Sequence, residues 1–206
     1  GPPARGLAPR MSRPIPRDEA LELLHAWVAA APLRRHCLAV EAAMRAYASR
    51  DGEDVELWGV TGLLHDADYE RHPDMDDAVA GHPRSIMAEL EERDAPPEMI
   101  RAIASHAEYL GVARESAMER TLHAVDELSG FLIACAMVRP EGMHGLTPKS
   151  VRKKLKQPSF AAAVNREELQ SAAESLDVPF DDHVAFVIAA LEAQAEALGV
   201  NGQAAA

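Results

Sequence analysis

The stretch Val55-Glu56-Leu57-Trp58-Gly59-Val60-Thr61-Gly62-Leu63-Leu64-His65-Asp66 decides how the chain is read. It is an apolar helical run that ends on two adjacent side chains of the ligand type. A histidine nitrogen and a carboxylate oxygen offered from neighbouring positions suit a divalent transition metal. At the end of a buried helix both groups need a partner, because burying an unpaired polar group is expensive. A lone His-Asp pair is weak evidence, so its meaning rests on what the flanking segments supply.

Upstream, 18–30 carries Leu21, Leu24, Trp27 and Val28 as a helical stripe, with acidic residues in its first turn. Pro32 opens a second helix to about Ser49, with His36 in its first two turns, and Arg50-Asp51-Gly52 ends it. Asp54 can cap the helix that leads to His65. Downstream, 67–81 is polar and turn-rich, a loop lying over something. His82-Pro83 begins a helix through Arg93, and Pro96-Pro97 begins another that ends at His106. The most apolar helix, from about Ala117 to Val138, holds Asp126 amid Leu122, Val125 and Leu128. Thr147-Pro148 starts a short basic helix. Asn165 with Glu168 resembles a capping box, and 179–198 forms the last helix.

The composition agrees with this pattern. Of 206 residues 48% are hydrophobic but only 4% aromatic, with few β-branched runs, which favours helix over sheet. The reading is all-α: one helical bundle of about eight to nine helices over 11–200, with a motif core at 33–132 and C-terminal helices at 147–198. Residues 1–10 read as a tag remnant before Met11, and 201–206 as a tail. A net charge of −12 with no long basic tract disfavours binding to a nucleic-acid polymer. No apolar run reaches membrane-spanning length, and no signal peptide is legible. Cys37 and Cys135 lack metal or redox spacing and suit a reducing cytoplasm.

Ligand-type groups at helix ends or on apolar faces form a series: His36, His65, Asp66, His82, His106 and Asp126. His36, His65, Asp66 and Asp126 make one nitrogen/oxygen site, and Asp66 can bridge to a second formed by His82 and His106. Mixed imidazole and carboxylate donors suit one or two ions of Fe, Mn, Ni, Co or Zn. Water shared by two such ions becomes a hydroxide nucleophile at neutral pH. His25, His72, His123, His144 and His183 read as incidental, although His123 lies one turn before Asp126.

The order His36, His65-Asp66, Asp126 resembles the HD-domain superfamily of metal-dependent phosphohydrolases, and His82 and His106 match the elaboration of its two-metal members. The segments 124–132, 149–154 and 159–165 also look like a bacterial subgroup of this superfamily. Ala67-Asp68 stands here where the familiar pattern has Ile-Gly. The resemblance implies hydrolysis of a phosphate ester, either a nucleotide or a small phosphomonoester or diester, with a small anionic substrate as partner and a homo-oligomer left open. Asp66 and Asp68 are then catalytic candidates. Tyr69 and Tyr109, which follow ligands directly as Glu108 does, are candidates for substrate contact. Lys149, Arg152 and Lys153 share a helix face that can clamp an anion, helped by Arg139 or Arg114, although a solvated basic face is the commoner outcome for such a run. Two alternatives use the same residues: a mixed-valence di-iron oxygenase acting on a phosphonate or polyol, and a non-catalytic nucleotide-binding domain.

Overall fold

The structure, a computed structural model, describes residues 11–202, so the expected tag remnant at 1–10 and positions 203–206 of the tail lie outside the described residues. Among these, regular structure is entirely helical. In chain order the helices are α1 (Arg17–Trp27), α2 (Ala31–Asp51), α3 (Val55–Leu64), α4 (Arg84–Glu92), α5 (Pro97–His106), α6 (Ala117–Met137), α7 (Pro148–Leu155), α8 (Arg166–Ser175) and α9 (Phe180–Glu192), with a 3-10 turn at Glu108–Leu110.

The punctuation acts where local chemistry places it. Asp54, Ser116, Thr147 and Asn165 each accept a hydrogen bond from the backbone N–H three residues on, which satisfies one orphan donor at the start of α3, α6, α7 and α8. Gly52 ends α2 in the left-handed region at φ 69°. The last helix differs from the expected 179–198 and stops at Glu192. Beyond it the N–H groups of Gln194 and Ala195 reach back only three residues, to Leu191 and Glu192, which tightens the chain into turns up to Gly199.

Two apolar clusters form the interior. In the larger, α2 sets Val40, Met44 and Tyr47 against Leu122, Leu128 and Phe131 of α6 and Val184, Val187 and Ile188 of α9. In the smaller, Leu24 of α1, Leu63 and Leu64 of α3, Ile86 and Leu90 of α4, and Met99 and Ile103 of α5 pack together. α3 lies between neighbours on all sides, and every residue from Trp58 to Leu64 is buried. That position explains why its sequence is apolar all round rather than striped.

The approach of α3 to α2 is close at Gly62. A Cβ there would stand 3.0 Å from Met44 Cγ, 3.1 Å from the Val40 carbonyl oxygen and 3.2 Å from Glu41 Cα. A buried polar tie joins α2, α6 and α9: Tyr47 donates its hydroxyl to His183 Nδ1 at 2.5 Å, and His183 Nε2 donates to the Ala124 carbonyl at 2.9 Å. His183, read from the sequence as incidental, is therefore a core residue. Among the described residues no helix is long and apolar enough to cross a membrane.

Candidate metal centre

Four helices and a loop deliver the six ligand-type side chains to one place. His36 comes from the second turn of α2, and His65 and Asp66 follow the last residue of α3. Asp126 comes from the middle of α6, and His106 is the last residue of α5. His82 ends the polar loop, its backbone N–H held by the His72 carbonyl at 2.8 Å.

They fall into two groups that share one residue. His36, His65, Asp66 and Asp126 offer ligand atoms all within 4.8 Å of one another, and so do Asp66, His82 and His106. In the first group His36 Nε2 lies 2.9 Å from Asp126 Oδ1 and 3.2 Å from Asp66 Oδ2, and His65 Nε2 lies 3.1 and 3.2 Å from the same two atoms. In the second, Asp66 Oδ1 is 3.3 Å from both His82 Nε2 and His106 Nε2.

The donor set fits divalent ions, because the outer nitrogen of three rings is already committed. His65 Nδ1 donates to the Gly62 carbonyl at 2.6 Å, His106 Nδ1 to the Ile103 carbonyl at 2.5 Å, and His82 Nδ1 to the Asp68 carboxylate at 2.6 Å. A neutral imidazole with its proton on Nδ1 turns a bare lone pair inward at Nε2. Yet His36 Nε2 faces His65 Nε2 at 3.2 Å, and His82 Nε2 faces His106 Nε2 at 3.3 Å. For His82 and His106, whose Nδ1 protons are both held from behind, two lone pairs at that range repel unless a cation lies between them, whereas His36 Nε2 is also 2.9 Å from Asp126 Oδ1 and can carry its own proton there.

Between His36 and His65, without an ion, a proton can fill that role. Burial alone would lower His36, but its hydrogen bonds to Asp126 and Asp66 outweigh it and push the ring up to about 9. His65 is likewise held well above its ordinary value, because the charges of Asp66 and Asp126 overcome desolvation. Burial would raise the two carboxylates, yet the His65 charge and bonds from the histidines hold both well below the usual carboxylate range.

A cavity of about 320 Å³ opens over the groups. Asp66, His82, His106 and Asp126 line its floor, and Leu33, Tyr69, Met75, Ala107, Glu108 and Tyr109 its walls. Tyr69 packs edge-on to the His82 ring at 5.4 Å, and Arg84 lies over Tyr109 at 5.4 Å. Past Asp126 a smaller recess of about 60 Å³ is lined by His106, His123, Glu127 and Glu168. There the Glu168 carboxylate lies 3.9 Å from His123 Nε2, and Glu108 is bound by Arg114 at 3.3 Å. Burial, followed by the charges of Glu168 and Asp126, pushes Glu127 up to about 7.

Other expected site residues stand elsewhere. Asp68 is fully buried and does not line the cavity: its Oδ1 accepts from His82 and its Oδ2 from the Ile86 N–H at 3.0 Å, so it braces the His82 ring from behind. α7 packs on α6 and α9, and neither Lys149, Arg152 nor Lys153 lines either opening. Lys149 and Lys153 point to solvent, and Arg152 pairs with Asp181 at 2.5 Å. Arg139 donates to the carbonyls of Gly142 and His144 and closes the turn after α6. Tyr69 and Tyr109 do line the cavity. The sequence reading missed Leu33 and Met75 there, and Glu127 and Glu168 in the smaller recess. Leu33 sits one turn before His36 on the same helix face, a signal that could have been used. For Glu168 the sequence offers only a capping signal.

The profile of the HD domain family matches residues 33–130, the span from the start of α2 to the middle of α6 that carries all six side chains. No curated protein and no solved structure matches the chain.

Proposed function

From the premise that residues 33–130 are an HD domain, we propose that the protein is a metal-dependent hydrolase of phosphate esters, using one or two divalent transition-metal ions. The supporting observation is the pair of inward-facing imidazole contacts: His82 and His106 meet with both Nδ1 protons fixed from behind, and His36 meets a His65 ring fixed in the same way. Bound there, divalent ions supply Lewis acidity toward phosphoryl oxygens and an acidified water. The chain's own residues do the rest. His36, His65 and Asp126 would hold one position and His82 and His106 the other, with one Asp66 oxygen turned to each. The Gly62 and Ile103 carbonyls and Asp68 fix the tautomers that leave Nε2 free to coordinate. The cavity walls receive the organic part of the ester, whose oxygen leaves with a proton as the water oxygen joins phosphorus.

The test is elemental analysis and EPR of protein purified under argon, followed by a screen of phosphate esters. Mn, Ni, Zn, Co or redox-silent iron with ester turnover supports the reading. Two irons with a mixed-valence signal and oxygen uptake on a phosphonate or polyol would replace it with an oxygenase. Metal-free protein that binds nucleotides without turnover would replace it with a binding domain.

A further inference from the structure

The charge around the opening is distributed in a way that constrains what can enter. The floor is the natural seat for one phosphoryl group. A second phosphoryl on the same substrate would have to rest on a wall, and the walls are of two kinds. One is apolar and aromatic: Leu33, Tyr69, Met75 and Tyr109. The other is acidic: Glu108 on the cavity wall, then Glu127 and Glu168 in the recess beyond Asp126.

Among the described residues no lysine or arginine lines either opening. Two guanidinium groups flank the opening, each turned to another partner through a terminal nitrogen, with Arg114 Nε buried and without a hydrogen-bond partner. Arg84 lies over the Tyr109 ring and donates to the Asp77 carbonyl at 3.2 Å, and Arg114 binds Glu108. Polyphosphates need such groups, because each phosphate beyond the metal-bound one brings charge that fixed cations must offset. A basic helix exists in this chain, but it is turned away from the cavity.

Resting on the hydrolase reading, we infer that the site selects substrates with a single phosphoryl group on an apolar or aromatic body, and that Tyr69, Tyr109 and Glu108 set this preference. The tyrosine rings offer faces to an aromatic or aliphatic leaving group. Glu108 repels a second phosphate and keeps Arg114 from serving one.

The test has a turnover arm and a binding arm, both on the full metal-loaded chain. With phenyl phosphate and a nucleoside mono-, di- and triphosphate, kcat/KM for the two monoesters should exceed that for the polyphosphates by about tenfold or more, the scale of discrimination that a like-charge juxtaposition supplies. E108Q should shrink this ratio by removing one negative charge and releasing Arg114. In the binding arm, Tyr109→Ala should lower the affinity for phenylphosphonate relative to methylphosphonate by about fivefold to tenfold, as measured by calorimetry under argon.

Polyphosphates turned over as well as monoesters, or a phenyl-to-methyl ratio unchanged in Tyr109→Ala and in Tyr69→Ala, would overturn the inference and leave the hydrolase reading standing. So would a monoester KM that rises tenfold in R84Q or R114Q, since a basic clamp would then be at work. No turnover of any ester would remove both.

Discussion

Asp68 shows how far one residue's role depends on what folds back onto it. In sequence it follows the His-Asp pair and invites a catalytic assignment. In the fold it is sealed under His82 and also caps the Ile86 N–H at the start of α4. Asp68→Asn keeps the size but weakens the charge-assisted bond to His82. Metal affinity at the His82/His106 group should fall by about tenfold to a hundredfold, the usual range for loss of such a supporting carboxylate. Competitive titration with a chromogenic chelator measures it, and unchanged affinity would show that the Asp68 carboxylate does not support the His82 ring. Glu127 titrates near 7 in the folded protein against 4.5 for the free side chain. Between those values the unfolded chain has lost the proton and the native chain retains it, so stability falls as pH rises and the full penalty stands above 7. In chelator, E127Q should therefore match the parent in urea unfolding near pH 4.5 and exceed it at pH 8. A difference independent of pH would show that Glu127 is not protonated in the fold.

At the scale of elements, local chemistry was legible and packing was not. The caps at Asp54, Thr147 and Asn165, the glycine stop after α2 and the apolar α3 could be read because each depends on residues within one or two turns. The all-helical class followed from composition and from helical stripes. The face that α7 presents could also be read as basic, but periodicity says only which side is polar, and a solvated basic face is what the fold contains. Glu168 misled in a related way. Asn165 does cap α8, accepting from the Glu168 N–H at 3.1 Å, yet the Glu168 side chain turns to His123 across the bundle. Only the packing of α8 on α6 could reveal that. The α2–α3 pair carries its own prediction. A methyl at Gly62 meets a backbone carbonyl and a Cα that cannot swing away, so Gly62→Ala should cost about 1–3 kcal/mol, the range for overpacking a filled interior. Because Gly62 also holds the His65 ring through its carbonyl, the same variant should bind metal less tightly. Wild-type stability in urea would show that the helices have room to separate.

For the molecule as a whole, the centre lies where α2, α3, α5 and α6 converge, so ions there would tie both halves of the interior together. Anything that binds the native chain alone stabilises it by mass action, by about 4 kcal/mol at a thousand times the dissociation constant. For a chain of this length, stripping the ions with a chelator should lower Tm by about 10 °C, and restoring Mn or Zn should recover it. A Tm indifferent to chelator and metal alike would mean that the six side chains hold no ion in solution.

Asp66 turns one oxygen to His36 and His65 and the other to His82 and His106. A single carboxylate thus serves two positions, and its four imidazole contacts already order it before any ion binds. What the first ion changes is charge: the second cation must share a ligand whose negative charge is already spent and meets the repulsion of its neighbour. Loading should be stepwise, with a Hill coefficient below one, and protein given half its complement of metal should be mostly singly loaded. Native mass spectrometry would count those species directly.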